Sequence, residues 1–61
     1  MSDSILRQAL EKIQKTAMNH PAFDADCYER RDVEALAAQG GDVCDWTMVA
    51  IAADDALKGQ P

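Results

Sequence analysis

The sequence predicts an all-α fold, a small bundle of three helices over about residues 3–19, 32–39 and 42–58. Two observations predict it. Apolar residues recur at helical spacing in the first and last thirds of the chain, and no alternating run of the kind that forms strands exceeds a few residues. With 61 residues the chain forms one small helical domain, 1–61, whose single core rarely supplies more than about 3–5 kcal/mol of net stability.

The first predicted helix is amphipathic. Its apolar residues lie within an arc about 140° wide on a helical wheel, and its polar residues fill the other side. Ser2 or Asp3 can cap the start. The residue before Pro21 is pushed out of the helical region, so the helix should end by Asn19 or His20. The apolar stripe consists of Ile5, Leu6, Ala9, Leu10, Ile13 and Ala17.

Residues 21–31 are the least regular part of the sequence. Asp26 followed by Glu29 has the spacing of a capping box. A helix here would nevertheless have a poor apolar stripe, so we expect a loop or a single turn. Phe23 and Tyr28 are expected to reach from it into the core.

The segment DVEALAAQGG predicts a short second helix. Asp32 is its expected cap, and Gly40 and Gly41 end it because glycine adopts positive φ without steric cost. Asp42 should then cap the third helix, which Gly59 ends.

The third predicted helix carries apolar side chains on two sides. Its core face is expected to meet the stripe of the first helix. A second row, Cys44, Met48 and Ile51, stands at i, i+4 and i+7 on another side. Either the short second helix covers this row, or it is an exposed apolar strip with an acidic rim, which is typical of a protein-binding site. The core face comprises Val43, Trp46, Val49, Ala50, Ala53, Ala56 and Leu57.

Two adjacent acids, Asp54 and Asp55, lie near the C-terminal end of this helix. Acids there are unfavourable by about 0.3–1 kcal/mol each because the helix dipole is negative at that end. A functional acidic patch would explain them, as would drift on a solvated surface. The candidate partner-binding residues are therefore Cys44, Asp45, Met48, Ile51, Asp54 and Asp55.

The net charge is −5 and is unevenly distributed. Residues 1–20 contain three basic and two acidic residues, whereas residues 21–61 contain three basic and nine acidic residues. This argues against direct nucleic-acid or anionic-membrane binding and suits a protein partner with a basic surface. Solubility alone is an alternative explanation of a charge of this size.

The sequence does not contain a recognisable catalytic or metal-binding motif, so we expect neither an enzyme nor a cofactor. His20 is the single histidine, and we expect it to interact with the last carbonyls of the first helix. Cys27 and Cys44 lack the spacing of a zinc or redox pair and are expected to stay as free thiols. Without a signal peptide or an apolar run long enough to span a bilayer, the chain is expected to be cytoplasmic.

Three hypotheses about function follow from these features. The first is a small acidic interaction protein that binds a basic protein surface, such as a phage or mobile-element inhibitor of a nucleic-acid-binding machine. The second is a homodimeric regulator that contacts nucleic acid through Arg7, Lys12 and Lys15 of the first helix. The third is a structural subunit of a larger assembly.

Overall fold

A computed structural model describes residues 3–59, which form four helices and no strand. The helices are α1 (Asp3–Met18), α2 (Ala25–Arg30), α3 (Val33–Gln39) and α4 (Gly41–Lys58). The all-α prediction is confirmed, and the three predicted helices correspond to α1, α3 and α4. The cap considered at Ser2 lies outside the described residues.

The two long helices, α1 and α4, form an antiparallel pair. The ring of His20, which follows α1, stacks on the ring of Trp46 in the first half of α4, with centroids 4.0 Å apart. Gln14 Nε2 donates to Asp54 Oδ1 at 3.1 Å, about two turns further along α4. Residues near the start of α1 therefore lie beside residues near the end of α4. The shorter helices α2 and α3 pack on another side of α4.

Helix α2 was not predicted from the sequence. For residues 21–31 we expected a loop or a single turn. Its cap is Asp24, whose Oδ1 accepts the Cys27 N–H at 3.1 Å, and the capping box considered at Asp26 does not form. Arg31 closes the helix in the left-handed conformation, with φ 55°, and its N–H donates to the carbonyls of Cys27 and Tyr28. Caps at both ends make a six-residue helix possible.

Gly40 ends α3 and also begins α4, with φ 62° and ψ −168°. Asp32 caps α3 as predicted, since its Oδ1 accepts the Ala35 N–H at 3.1 Å. The predicted cap at Asp42 is wrong: α4 begins at Gly41 without a side-chain cap, which places Asp42 in the first turn. The predicted end at Gly59 is confirmed.

The core lies along a line of α4 between its two apolar rows. Ile51 packs in one cluster with Cys27 of α2 and Leu36 of α3. Val49 is 42% exposed and Ala56 is also exposed, so the predicted core face is wrong for these two residues. The buried residues of α4 are Thr47, Ala50, Ile51 and Ala53.

Helix α1 packs on α4 through one edge of its apolar stripe. Among its described residues, Ala17 alone is buried, and Leu10 and Gln14 are half-buried. The rest of the stripe is exposed, including Ile13 at 46%. The line of contact is therefore rotated away from the centre of the stripe, towards the polar Gln14.

Candidate protein-binding surface

The second apolar row of α4 is covered by the chain itself. Ile51 is 5% exposed, and Met48 and Cys44 are half-buried against the cluster of Cys27 and Leu36. The expectation of an exposed strip is therefore wrong for this row. The alternative, a row covered by the short second helix, matches the structure, and the unforeseen helix α2 contributes to the cover.

Asp54 and Asp55 are engaged within the fold. Asp54 is 17% exposed, and Lys58 Nζ lies 3.0 Å from its Oδ2. Asp54 also forms an ion pair with Arg31, whose guanidinium lies 3.3 Å from Asp55 Oδ1. The bond from Lys58, with those from Arg31 and Gln14, lowers the pKa of Asp54. These acids hold the end of α2 against α4, which accounts for their position near a helix C-terminus.

Arg31 is a structural residue that sequence reasoning missed. Its guanidinium donates to the Tyr28 carbonyl at 3.3 Å and lies 5.4 Å from the centre of the Tyr28 ring. The two unfavourably placed acids were the signal that a cation had to lie nearby. An open hollow of about 370 Å³ lies at this network, but its main charges already neutralise one another; its lining residues are Tyr28, Glu29, Arg31, Asp54 and Lys58.

His20 does not act on the last carbonyls of α1 as expected. Its Nδ1 accepts the N–H of Ala22 at 3.0 Å, and its ring lies nearly parallel to that of Trp46, at 10°. The side chain thus shapes the turn after α1 and covers part of α4. This is a packing role.

An uncovered apolar surface lies on the other side of the α1–α4 pair. Gln14 donates to Tyr28 Oη at 2.9 Å, so it marks the side of α1 that faces α2. Ile13 lies about 100° round the helix from Gln14, across the line of contact with α4. On α4, Val49 lies about 130° from the mean direction of the second row, which α2 and α3 cover. Ile13 and Val49 therefore share the side away from α2 and α3.

We call this surface the α1–α4 face and define it by three exposed residues, Ile13 of α1 and Val49 and Ala56 of α4. Ala53, which is buried, lies between the two helices beneath it. Two larger apolar side chains, Ile13 and Val49, thus stand on either side of the small Ala53. This apolar surface is exposed in the single chain.

The charges around the α1–α4 face differ from those of the internal acids. Asp45 and Asp42 precede Val49 by four and seven residues, so they lie on its side of α4. Both are exposed, and neither forms an ion pair or a side-chain hydrogen bond among residues 3–59. Of the acids predicted to contact a partner, Asp45 is the one that is exposed without an ion pair or side-chain hydrogen bond to residues 3–59.

The basic residues of α1 do not form one compact patch. Arg7, Lys12 and Lys15 are all exposed, but Arg7 lies 4.0 Å from Glu11, with which it forms an ion pair. The three side chains are spread round the solvent side of the helix. Their placement gives the nucleic-acid alternative no focused positive surface.

Cys27 is buried and Cys44 is half-buried, and the two are free thiols. Burial, followed by the neighbouring carboxylate of Asp24, raises the pKa of Cys27, which makes its thiol less reactive. Across residues 3–59 no group of three or more metal-ligating side chains comes together. No helix in that range is both long and apolar enough to cross a bilayer.

Over residues 3–59 the protein is a small all-α fold whose α1–α4 face is exposed. No protein-family model, curated protein or solved structure matches the chain.

Proposed function

We propose that the protein is a small acidic protein–protein interaction module that binds its partner through the α1–α4 face. The observation that carries the proposal is the exposure of Ile13 and Val49 on one side of a helix pair. Contiguous apolar patches with a polar rim are typical of interaction sites on small soluble proteins. Binding would also stabilise a fold whose own core is small.

The charge of the module favours a partner with a basic surface. The net charge is −5, and Asp42 and Asp45 beside Val49 form no ion pair with a cation of residues 3–59. Complementary charge speeds association and selects the partner. Nucleic-acid-binding proteins carry basic surfaces of this kind, so an inhibitor of such a protein is the form of the function that we favour.

A matched set of variants tests the proposal. Val49→Asp places a charge in the centre of the α1–α4 face, whereas Val33→Asp places the same charge on α3, where the valine is 45% exposed. Each tagged protein is used to isolate partners from the cell that makes it, with quantitative mass spectrometry. We expect one protein to be recovered in comparable amounts with the wild type and Val33→Asp and to be lost with Val49→Asp.

The same experiment can reject the proposal. If Val49→Asp, or Ile13→Asp as a second variant, retains every protein that the wild type retains, the α1–α4 face is not the binding surface. Circular dichroism of each variant checks that its helices are intact. Both substituted residues are substantially exposed, so the fold should tolerate the charge.

A further inference from the structure

We infer that the α1–α4 face receives an amphipathic helix of the partner that carries Lys or Arg residues beside its apolar stripe. This inference rests on the proposed function and adds the chemistry of the occupant. Three features support it: the secondary structure of the face, the spacing of its apolar residues and the charges at its rim.

The secondary structure of the face favours a helical occupant. Residues 3–59 contain no strand, so the face offers no sheet edge to which an extended peptide could add its backbone hydrogen bonds. An extended segment on this apolar surface would bury unpaired N–H and C=O groups, which is costly. A helix pairs these groups internally and presents apolar side chains at i, i+3 and i+4.

The spacing of the apolar residues on the face suits a third helix that packs along the α1–α4 pair. Alignment through Gln14 and Asp54 places Ile13 and Val49 about six residues apart along the axis, which is about 9 Å. Apolar positions i and i+7 of a docked helix are about 10 Å apart, so they can contact both residues. The side chains of Ala53 and Ala56 are small, which permits close approach of a third helix.

The rim charges favour a basic partner over a second copy of this chain. The acids beside Val49, Asp42 and Asp45, lack a counter-ion within the described chain, unlike Asp54 and Asp55. A second copy would bring another net charge of −5. Lys12 lies towards the other end of the face, near the level of Ala56, so we expect the cationic residues of the partner helix at the Asp42 end.

The test uses the full chain, labelled with ¹⁵N, and a synthetic probe helix. The probe is about 18 residues long, with leucines along one stripe and lysines beside it. A peptide of the same composition in scrambled order, without a helical stripe, is the control. We expect the ordered peptide to shift the amide signals of Ile13, Val49 and their neighbours, and the scrambled peptide to bind at least about tenfold more weakly.

Charge variants separate the electrostatic part. Neutralising both rim acids, Asp42→Asn and Asp45→Asn together, should weaken the ordered peptide about tenfold at low salt. Glu34→Gln removes one exposed acid from α3, and binding should stay within about twofold of the wild type. A peptide with glutamate in place of every lysine should not bind.

Three results would overturn the inference. Shifts scattered over the surface, or equal binding of the scrambled peptide, would show attraction to the net charge of the protein without a defined binding site. A dimer in sedimentation that Val49→Asp dissociates would make a second copy the occupant. The proposed function is contradicted by a different result, in which Val49→Asp keeps its cellular partner. If only the peptide test fails, the protein is an interaction module that recognises something other than a basic helix.

Discussion

Thr47 is a single residue that links two elements of the core. It is completely buried on α4, and its Oγ1 accepts the backbone N–H of Asp24 at 3.0 Å. That N–H belongs to the residue that caps α2, so the hydroxyl fixes the start of α2 against α4. The sequence did not single out Thr47, because a threonine on a helix is usually exposed.

Thr47→Val keeps the shape of the side chain and removes the acceptor. The Asp24 N–H would then lie against an apolar group, which costs about 1–3 kcal/mol. Thr16→Val makes the same chemical change at an exposed position of α1 and should alter stability by no more than about 0.5 kcal/mol. Urea unfolding followed by circular dichroism compares the two. Equal stability of both variants would show that the Thr47 hydrogen bond contributes nothing.

Two carboxylates make stability depend on pH. The N–H of Cys27 lowers the pKa of Asp24, and the bond from Lys58 lowers that of Asp54, both from an ordinary value of 3.8. A lowered folded-state pKa stabilises the fold above the unfolded-state pKa, and this stabilisation is lost as the pH falls through the folded-state value. The free energy of unfolding should therefore be steady between about pH 5 and pH 7 and decline below about pH 4.

Asp54→Asn isolates one of these contributions. The variant should be less stable than the wild type at pH 7, and the difference should shrink on acidification, as the wild-type carboxylate is protonated. Glu34→Gln is the control, since its side chain is exposed and makes no hydrogen bond or ion pair among residues 3–59. Urea midpoints at several pH values give the comparison. An undiminished difference at low pH would contradict the role assigned to Asp54.

At the scale of elements, local signals predicted the helices that have local ends. Pro21 limited α1, Asp32 capped α3, and Gly40 separated α3 from α4, all within a residue or two of the expected positions. Helix α2 was missed because its support comes from far along the chain. Thr47 accepts a hydrogen bond at the N-terminal end of α2, and Asp54 forms an ion pair with Arg31 at its C-terminal end. Neither contact produces a periodic pattern in the sequence.

Contacts between residues far apart in the sequence also explain why the covered and exposed sides of α4 differ from the prediction. The sequence showed two apolar rows but not which neighbour would cover each one. Because α2 and α3 together cover the row of Met48 and Ile51, α1 is displaced, and the edge marked by Val49 is left exposed. The candidate residues Cys44, Met48 and Ile51 were thus correct as an apolar row and misplaced as a surface.

The junction of α3 and α4 is formed by two consecutive glycines with positive φ, Gly40 and Gly41, both at 62°. Gly40 has φ 62° and ψ −168°, a region that is almost exclusive to glycine, and an added Cβ would meet no atom within 4 Å. Alanine at position 40 should therefore destabilise the fold by about 1–3 kcal/mol through backbone strain alone. Chemical synthesis of the 61-residue chain allows a D-alanine control, which is compatible with positive φ. Thermal unfolding should separate the two, and equal losses would contradict the argument from φ.

At the scale of the whole molecule, the internal charge network stabilises the fold, whereas the α1–α4 face does not contribute a packed contact to another helix among residues 3–59. Asp54, Arg31 and Lys58 tie the short helices to the long pair and are occupied in doing so. The α1–α4 face is left without cover in a fold that has little stability to spare. Its acidic rim gives the protein a polarity that suits a basic partner, which is the basis of the proposed function.

The central claim is that α1 meets α4 by one edge, so that Ile13 and Val49 stay in contact with solvent while Ile51 does not. Methyl relaxation by a soluble paramagnetic probe measures this directly, at a concentration where sedimentation gives the monomer mass. We predict strong relaxation of the Ile13 and Val49 methyl groups and weak relaxation of the Ile51 methyl groups. Protection of Ile13 and Val49 equal to that of Ile51 would contradict the account.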